Sequence, residues 1–322
     1  MQVLLGTYTK KDSKGIYSLE LDESKKECIE YVHYLKVKNP TYLCGHGANI
    51  FSVCINNDKG GVAYFKNGVL MQEILNQKVA PCYVSYDQHH HLLFSANYHQ
   101  GMVNSYKFVN DQLIAHQKIV YPEGSKAHYI KSIKDLNTTF VCDLGLDKVY
   151  AYTLDEDSKL VHKQTLDFDH GSGPRHIINH PSKSTVYVLS ELSYEIFIVD
   201  YNKEYKILSK VSANPTKETT NQHGAAIRIS KDGKFLYTSN RTDNSLSVFK
   251  INTDSTLEFV QHVLVHGKHP RDFDLSPDQK FVLVANLESD NCTLFERDEY
   301  SGKLTLLQKD IYANEPVCVL FR

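Results

Sequence analysis

Three side chains able to bind an anion or carry a proton stand at one repeated place in the chain. His128 follows Ala127 in KAHYIKS, Arg175 follows Pro174 in GPRHIIN, and Arg271 follows Pro270 in HPRDFDLS. The matching place elsewhere holds Thr41, Cys82, Ala225 and Val317, and Lys126, His176, His223, His269 and Asp272 flank the series. A guanidinium offers a fixed fork of donors that fits a carboxylate or phosphate, so such a cluster would hold an anion. A histidine among them would exchange protons near neutral pH. A second series closes the next apolar run: Asn97, Asp143, Glu191, Asn240 and Asn286. Asn and Asp bond their own backbone and shape turns, which explains all of these but Glu191. Glu191 is therefore a carboxylate open to chemistry. Arg241, in SNRTDNS, reads either as an anion contact or as a salt bridge between neighbouring units.

Side chains so far apart in sequence meet only if the elements carrying them converge. The anchors Pro40, Pro81, Ala127, Pro174, Gly224, Pro270 and Pro316 recur at steps of 41 to 50 residues, each opening a short alternating apolar run. A second run follows (HLLFSAN, TTFVCD, TVYVLSE, KFLYTSN, KFVLVAN), then a third with period two (MVNSYKF, KVYAYTL, EIFIVDY, SLSVFKI, CTLFERD), then a weaker fourth. Four strands per unit at this period predict an all-β, seven-bladed β-propeller, one domain over residues 1–322. The last unit stops after PVCVLF, whereas the N-terminus begins with QVLLGTYT, GIYSLEL and CIEYVHYL. The C-terminal strand should therefore complete the N-terminal blade and cover its open edge. First strands line the channel of a propeller, so the equivalent positions should meet in one funnel.

Composition narrows the function classes. A formal net charge of −2, from 36 basic and 38 acidic residues, gives no global attraction for nucleic acid or an anionic membrane, so any anion site must be local. The N-terminus lacks the layout of a secretion signal, and no run approaches the ~18 apolar residues of a membrane span. Seven scattered cysteines without a C-x-x-C pair read as reduced thiols of a cytoplasmic protein. The run His89-His90-His91 reads as a solvated turn rather than a metal site, and Gly60-Gly61 as a hairpin turn rather than a phosphate loop. No metal or cofactor is expected, because the channel positions are too cationic for a hard cation.

Longer motifs carry a family likeness: LLGTYT near the start, CDLGLDKVYAY, GSGPRHIINHP, YVLSELS, ISKDGKFLYTSNR, GKHPRDFDLSPDQKFVLVANLESDN and NEPVCVLF. With these the chain resembles the lactonase family of seven-bladed β-propellers, which includes 6-phosphogluconolactonases and muconate-type cyclases. The resemblance implies a cytoplasmic hydrolase, a monomer or homodimer. It would open 6-phospho-D-glucono-1,5-lactone to 6-phosphogluconate in the pentose phosphate pathway, without a metal. The alternatives are a lactonising cyclase and a non-catalytic scaffold. The family's catalytic His, two Arg and Glu fall on His128, Arg175, Arg241 and Glu191. Lys126 stands where the family has a histidine, and Ala226 where it has a glutamate. On this reading a water attacks the carbonyl with Glu191 or His128 as base, and Arg175 faces the oxyanion. Arg271, Lys126, His176 and His223 surround the substrate and its phosphate. Arg175→Ala should then cost activity and leave the melting temperature nearly unchanged.

Overall fold

The computed structural model describes residues 1–215 and 223–322, and among these every long element is a strand. They form seven four-stranded antiparallel sheets, the predicted propeller blades. Blade 1 is built from both ends of the chain, in the order Pro316–Phe321, Gln2–Thr7, Gly15–Asp22, Glu27–Lys36. Blades 2 to 7 follow as 43–77, 83–120, 127–167, 174–212, 224–264 and 270–312. No helix among the described residues is long and apolar enough to cross a membrane.

Burial explains the strand patterns. The second strand of a blade is packed on both faces by its neighbours, so Leu92–Asn97, Thr138–Asp143, Thr185–Ser190, Phe235–Asn240 and Phe281–Asn286 are buried throughout. The fourth strand is an outer edge and is mostly exposed, as in Leu160–Asp167, where only Leu160 and Leu166 are buried. Cores therefore form between blades: Phe94 of blade 3, Phe140 of blade 4 and Val188 of blade 5 share one fully buried cluster.

Gly60 and Gly61 do not form the predicted turn. Asn57 and Asp58 do, with φ of 48° and 57°, the left-handed pair a tight hairpin needs. The glycines lie inside strand Lys59–Lys66 because a Cβ on Gly61 would stand 1.8 Å from the Ile74 carbonyl oxygen, and one on Gly60 2.0 Å from that of Val79.

Ring closure is as predicted. The C-terminal strand pairs antiparallel with the N-terminal one, Val3 opposite Phe321 and Leu5 opposite Val319, and Val317, Cys318 and Val319 are buried. Burying one valine is worth about 1.5–3 kcal/mol. Deleting 316–322 removes several such residues and strips blade 1 of its inner strand, a loss comparable with the ~5–15 kcal/mol that holds a domain folded. The truncated chain is expected to lose cooperative thermal unfolding by circular dichroism; a sharp transition within a few degrees of the full chain would refute the closure argument.

Candidate active site

His128, Arg175 and Arg271 sit on bulges of their inner strands. Ala127 pairs with Asp143 and Tyr129 with Cys142, which leaves His128 as an extra residue between them. Arg175 is extra in the same way between the pairs Pro174–Ser190 and His176–Leu189, and Arg271 between Pro270–Asn286 and Asp272–Ala285. A bulge re-aims a side chain without ending the strand. Here it directs successive residues to different levels of the channel. His128 and Arg271 line a cavity of about 480 Å³ together with Tyr8, Lys10, Tyr98, His99, Glu191 and Arg241. One residue further along each strand, Tyr42, Tyr83, Tyr129 and His176 plug the channel, with the His176 ring 5.4 Å from those of Tyr83 and Tyr129. Below the plug lies a separate cavity of about 340 Å³.

Asn97, Asp143, Asn240 and Asn286 end their second strands as predicted, and only Glu191 lies one residue beyond its strand. Ser190, not Glu191, ends its strand opposite Pro174, as Asn240 does opposite Gly224 and Asp143 opposite Ala127. Glu191 is equivalent to Arg241, Leu144, Leu287 and Tyr8: each of these five donates its backbone N–H to the carbonyl of the residue just before the inner strand's anchor. The shared bond holds this ring at the mouth of the channel. Tyr8, Tyr98, Glu191 and Arg241 use the position to reach the cavity.

Within the cavity wall one carboxylate lies between two guanidiniums. Arg241 Nη2 is 2.8 Å from Glu191 Oε1, and Arg175 Nε is 2.8 Å from Oε2, though its N–H is not aligned on that oxygen. Arg175 is 3% exposed, does not line the cavity, and donates from Nη1 to the Ala225 carbonyl. Arg175, expected to face the oxyanion, is engaged by Glu191 and the backbone outside this cavity lining. Burial alone would raise the Glu191 carboxyl, but Arg175 and Arg241 hold it below the usual range. Burial pulls the Arg175 guanidinium down to about 10 against the opposing pull of Glu191. Burial, then Arg175, Arg271 and Arg241, press the His128 imidazole well below 6.5, so it is neutral at pH 7. Its Nδ1 is buried without a hydrogen-bond partner. His269, bonded through Nδ1 to Glu288 at 3.1 Å, is lowered by burial and by Arg241 and Arg271, and its Nε2 is likewise unpartnered.

Three predicted contacts do not reach the cavity lining. His176 is buried in the plug and lines the lower cavity, because the bulge at Arg175 turns the next residue down the channel. Lys126 and His223 precede their strands and stay exposed at the rim, Lys126 with its ammonium 5.2 Å from the Tyr98 ring. Tyr8, Lys10, Tyr98 and His99 line the cavity without having been singled out from the sequence. The place one residue past the second strand would have found both tyrosines. Among the described residues no group of three or more His, Cys, Asp or Glu is placed to hold a metal ion, and all seven cysteines are free.

A model of the lactonase family, described as a seven-bladed β-propeller, matches residues 2–321. The chain is 36% identical to the 6-phosphogluconolactonase of Bacillus subtilis (strain 168), over 98% of this chain and 97% of that protein. A Lactobacillus plantarum protein of known structure superposes with a TM-score of 0.94 at 37% identity, over 99% of this chain and 98% of that one. The periplasmic gluconolactonase of Pseudomonas aeruginosa superposes with a TM-score of 0.88 at 26% identity, over 99% and 98%.

Proposed function

The chain belongs to the seven-bladed β-propeller lactonase family, and from that premise we propose that it hydrolyses a phosphorylated sugar lactone, 6-phospho-D-glucono-1,5-lactone, in the upper funnel. The observation that carries the reading is one cavity lined by a neutral histidine, an Arg241–Glu191 pair and an arginine, Arg271, without a carboxylate partner among the described residues. His128 takes a proton from water as its oxygen bonds to the lactone carbonyl carbon. Arg241 faces the carbonyl oxygen as it gains charge, a contact typically worth about 3 kcal/mol. The ring C–O bond then breaks and the proton passes to the departing ring oxygen. Glu191 is the poorer base, since both its oxygens lie against guanidiniums; its part is to hold Arg241. No step is assigned to a metal, because the arginines supply the positive charge a metal ion would bring. A bound phosphoryl dianion would offset the arginines around His128 and strengthen the imidazole as a base. We place the activity in the cytoplasm, where free thiols persist.

The test measures acid release above the spontaneous rate from 6-phosphogluconolactone and from unphosphorylated gluconolactone, with and without chelator. Preference for the phosphorylated lactone and indifference to chelator are expected. Turnover of an unsaturated diacid instead would make the chain a cyclase.

A pH profile follows from His128. The base must be unprotonated, and its folded pKa lies below 6.5. Activity is therefore present above that pKa and lost as pH falls through it. On its acid side kcat/KM should hold its plateau through pH 6.5 and decline only at lower pH; a half-maximal point at or above 6.5 would exclude His128 as the base.

A further inference from the structure

Neighbouring lysines at the N-terminal edge of the funnel are treated differently. The ammonium of Lys11 is 2.8 Å from Asp290. That of Lys10 has no carboxylate in reach among the described residues and stands 4.4 Å from the centroid of the Tyr8 ring. Arg271 Cζ lies 5.8 Å from the same centroid. Tyr8, Lys10 and Arg271 all line the upper cavity. Elsewhere in the channel guanidiniums are compensated: Arg175 and Arg241 share Glu191, and Arg228 lies 2.8 Å from Asp272 and 3.1 Å from Asp274. Two uncompensated cations over one aromatic ring repel each other until an anion joins them.

The backbone bearing Lys10 is held in place. Glu315, 3% exposed, accepts the N–H of Lys10 at 3.1 and 3.0 Å and that of Lys11 at 2.8 Å, and the Glu315 carbonyl accepts the N–H of Tyr8 at 3.1 Å. Thr9 N–H donates to Asn39 Oδ1 at 3.0 Å. The segment is thereby clamped between blades 1 and 2, so only the Lys10 side chain remains to be ordered when a ligand enters.

We propose that Lys10 and Arg271, mounted on Tyr8, form the subsite that receives the phosphoryl group of the substrate and sets the preference for a phosphorylated over a plain lactone. This rests on the lactonase reading. The phosphoryl group stays intact; the two cations recognise it, Arg271 through its fork and Lys10 as a point charge. The fold brings the N-terminal loop of blade 1 and the inner strand of blade 7 to the same ligand.

The experiment compares kcat/KM for 6-phosphogluconolactone and gluconolactone in the wild type, Lys10→Met, Arg271→Met and the control Lys11→Met, with melting temperatures to verify folding. Inorganic phosphate is titrated as an inhibitor of gluconolactone hydrolysis. Lys10→Met and Arg271→Met should each lower the ratio of the two kcat/KM values on the order of 10- to 100-fold and weaken inhibition by phosphate. Lys11→Met, which removes the same charge one residue away, should leave the ratio as in the wild type. A ratio untouched by Lys10→Met overturns the subsite while lactonase activity stands. An equal fall in Lys11→Met also overturns it, showing a diffuse field instead. A wild type that hydrolyses neither lactone overturns the lactonase reading and the subsite with it.

Discussion

Replacing His128 by asparagine lowers kcat/KM on the phosphorylated lactone by about 10²- to 10⁴-fold, the range of a lost general base. The substitution keeps a polar group on the bulge between Ala127 and Tyr129 but removes the atom that takes the proton. Folding should survive. The imidazole is buried, yet its Nδ1 has no hydrogen-bond partner to lose. The deficit should persist at higher pH, since asparagine gains no basicity there. Steady-state kinetics beside a thermal melt decide the matter: activity within a few-fold of wild type would move the base to another group, with Glu191 the first candidate.

Glu191→Ala is expected to damage both the fold and the reaction. It removes the carboxylate from between Arg175 and Arg241, and Arg175 is 3% exposed with no other carboxylate in reach among the described residues. Breaking a buried pair on one side costs about 3–5 kcal/mol, because the remaining charge has lost both water and partner. The melting temperature should fall by several degrees and kcat/KM with it, as Arg241 loses its anchor. Adding Arg175→Met to the same chain removes the stranded charge. That double variant should regain much of the stability and none of the activity. An unchanged melting temperature in Glu191→Ala would show that the triad contributes nothing to stability and that Arg175 finds its compensation in the backbone alone. The earlier expectation for Arg175→Ala changes accordingly: it should lower the melting temperature as well as the activity, because it takes away a buried partner of Glu191.

The propeller was legible because each anchor does a local job that leaves a mark. A proline or small residue begins the inner strands of blades 1 and 4 to 7, next to a bulge, and in blades 4 and 7 the bulged residue, His128 or Arg271, lines the upper cavity. His128 and Arg271 could therefore be picked from spacing alone. The same bulge concealed where His176 goes. Two residues in a row face the channel at different heights, and a strict period of two does not describe that. In the second series only Glu191 was misread, by one place, because it adjoins Ser190, a residue that closes its strand without the usual Asn or Asp. Lys10 and Tyr8 escaped notice for a different reason. The closure of their blade was read from the sequence, but the place just past the second strand, where Tyr8 follows Thr7, was not read as facing the channel.

The pairing of Pro316–Phe321 with Gln2–Thr7 also sets a timetable for the newborn chain. The first three strands of blade 1 leave the ribosome before blades 2 to 7, and the segment that completes their sheet leaves after them. At about 5–20 residues per second, the wait is on the order of 15–60 s. Throughout it the edge of Gln2–Thr7 is an open invitation to any other extended peptide nearby.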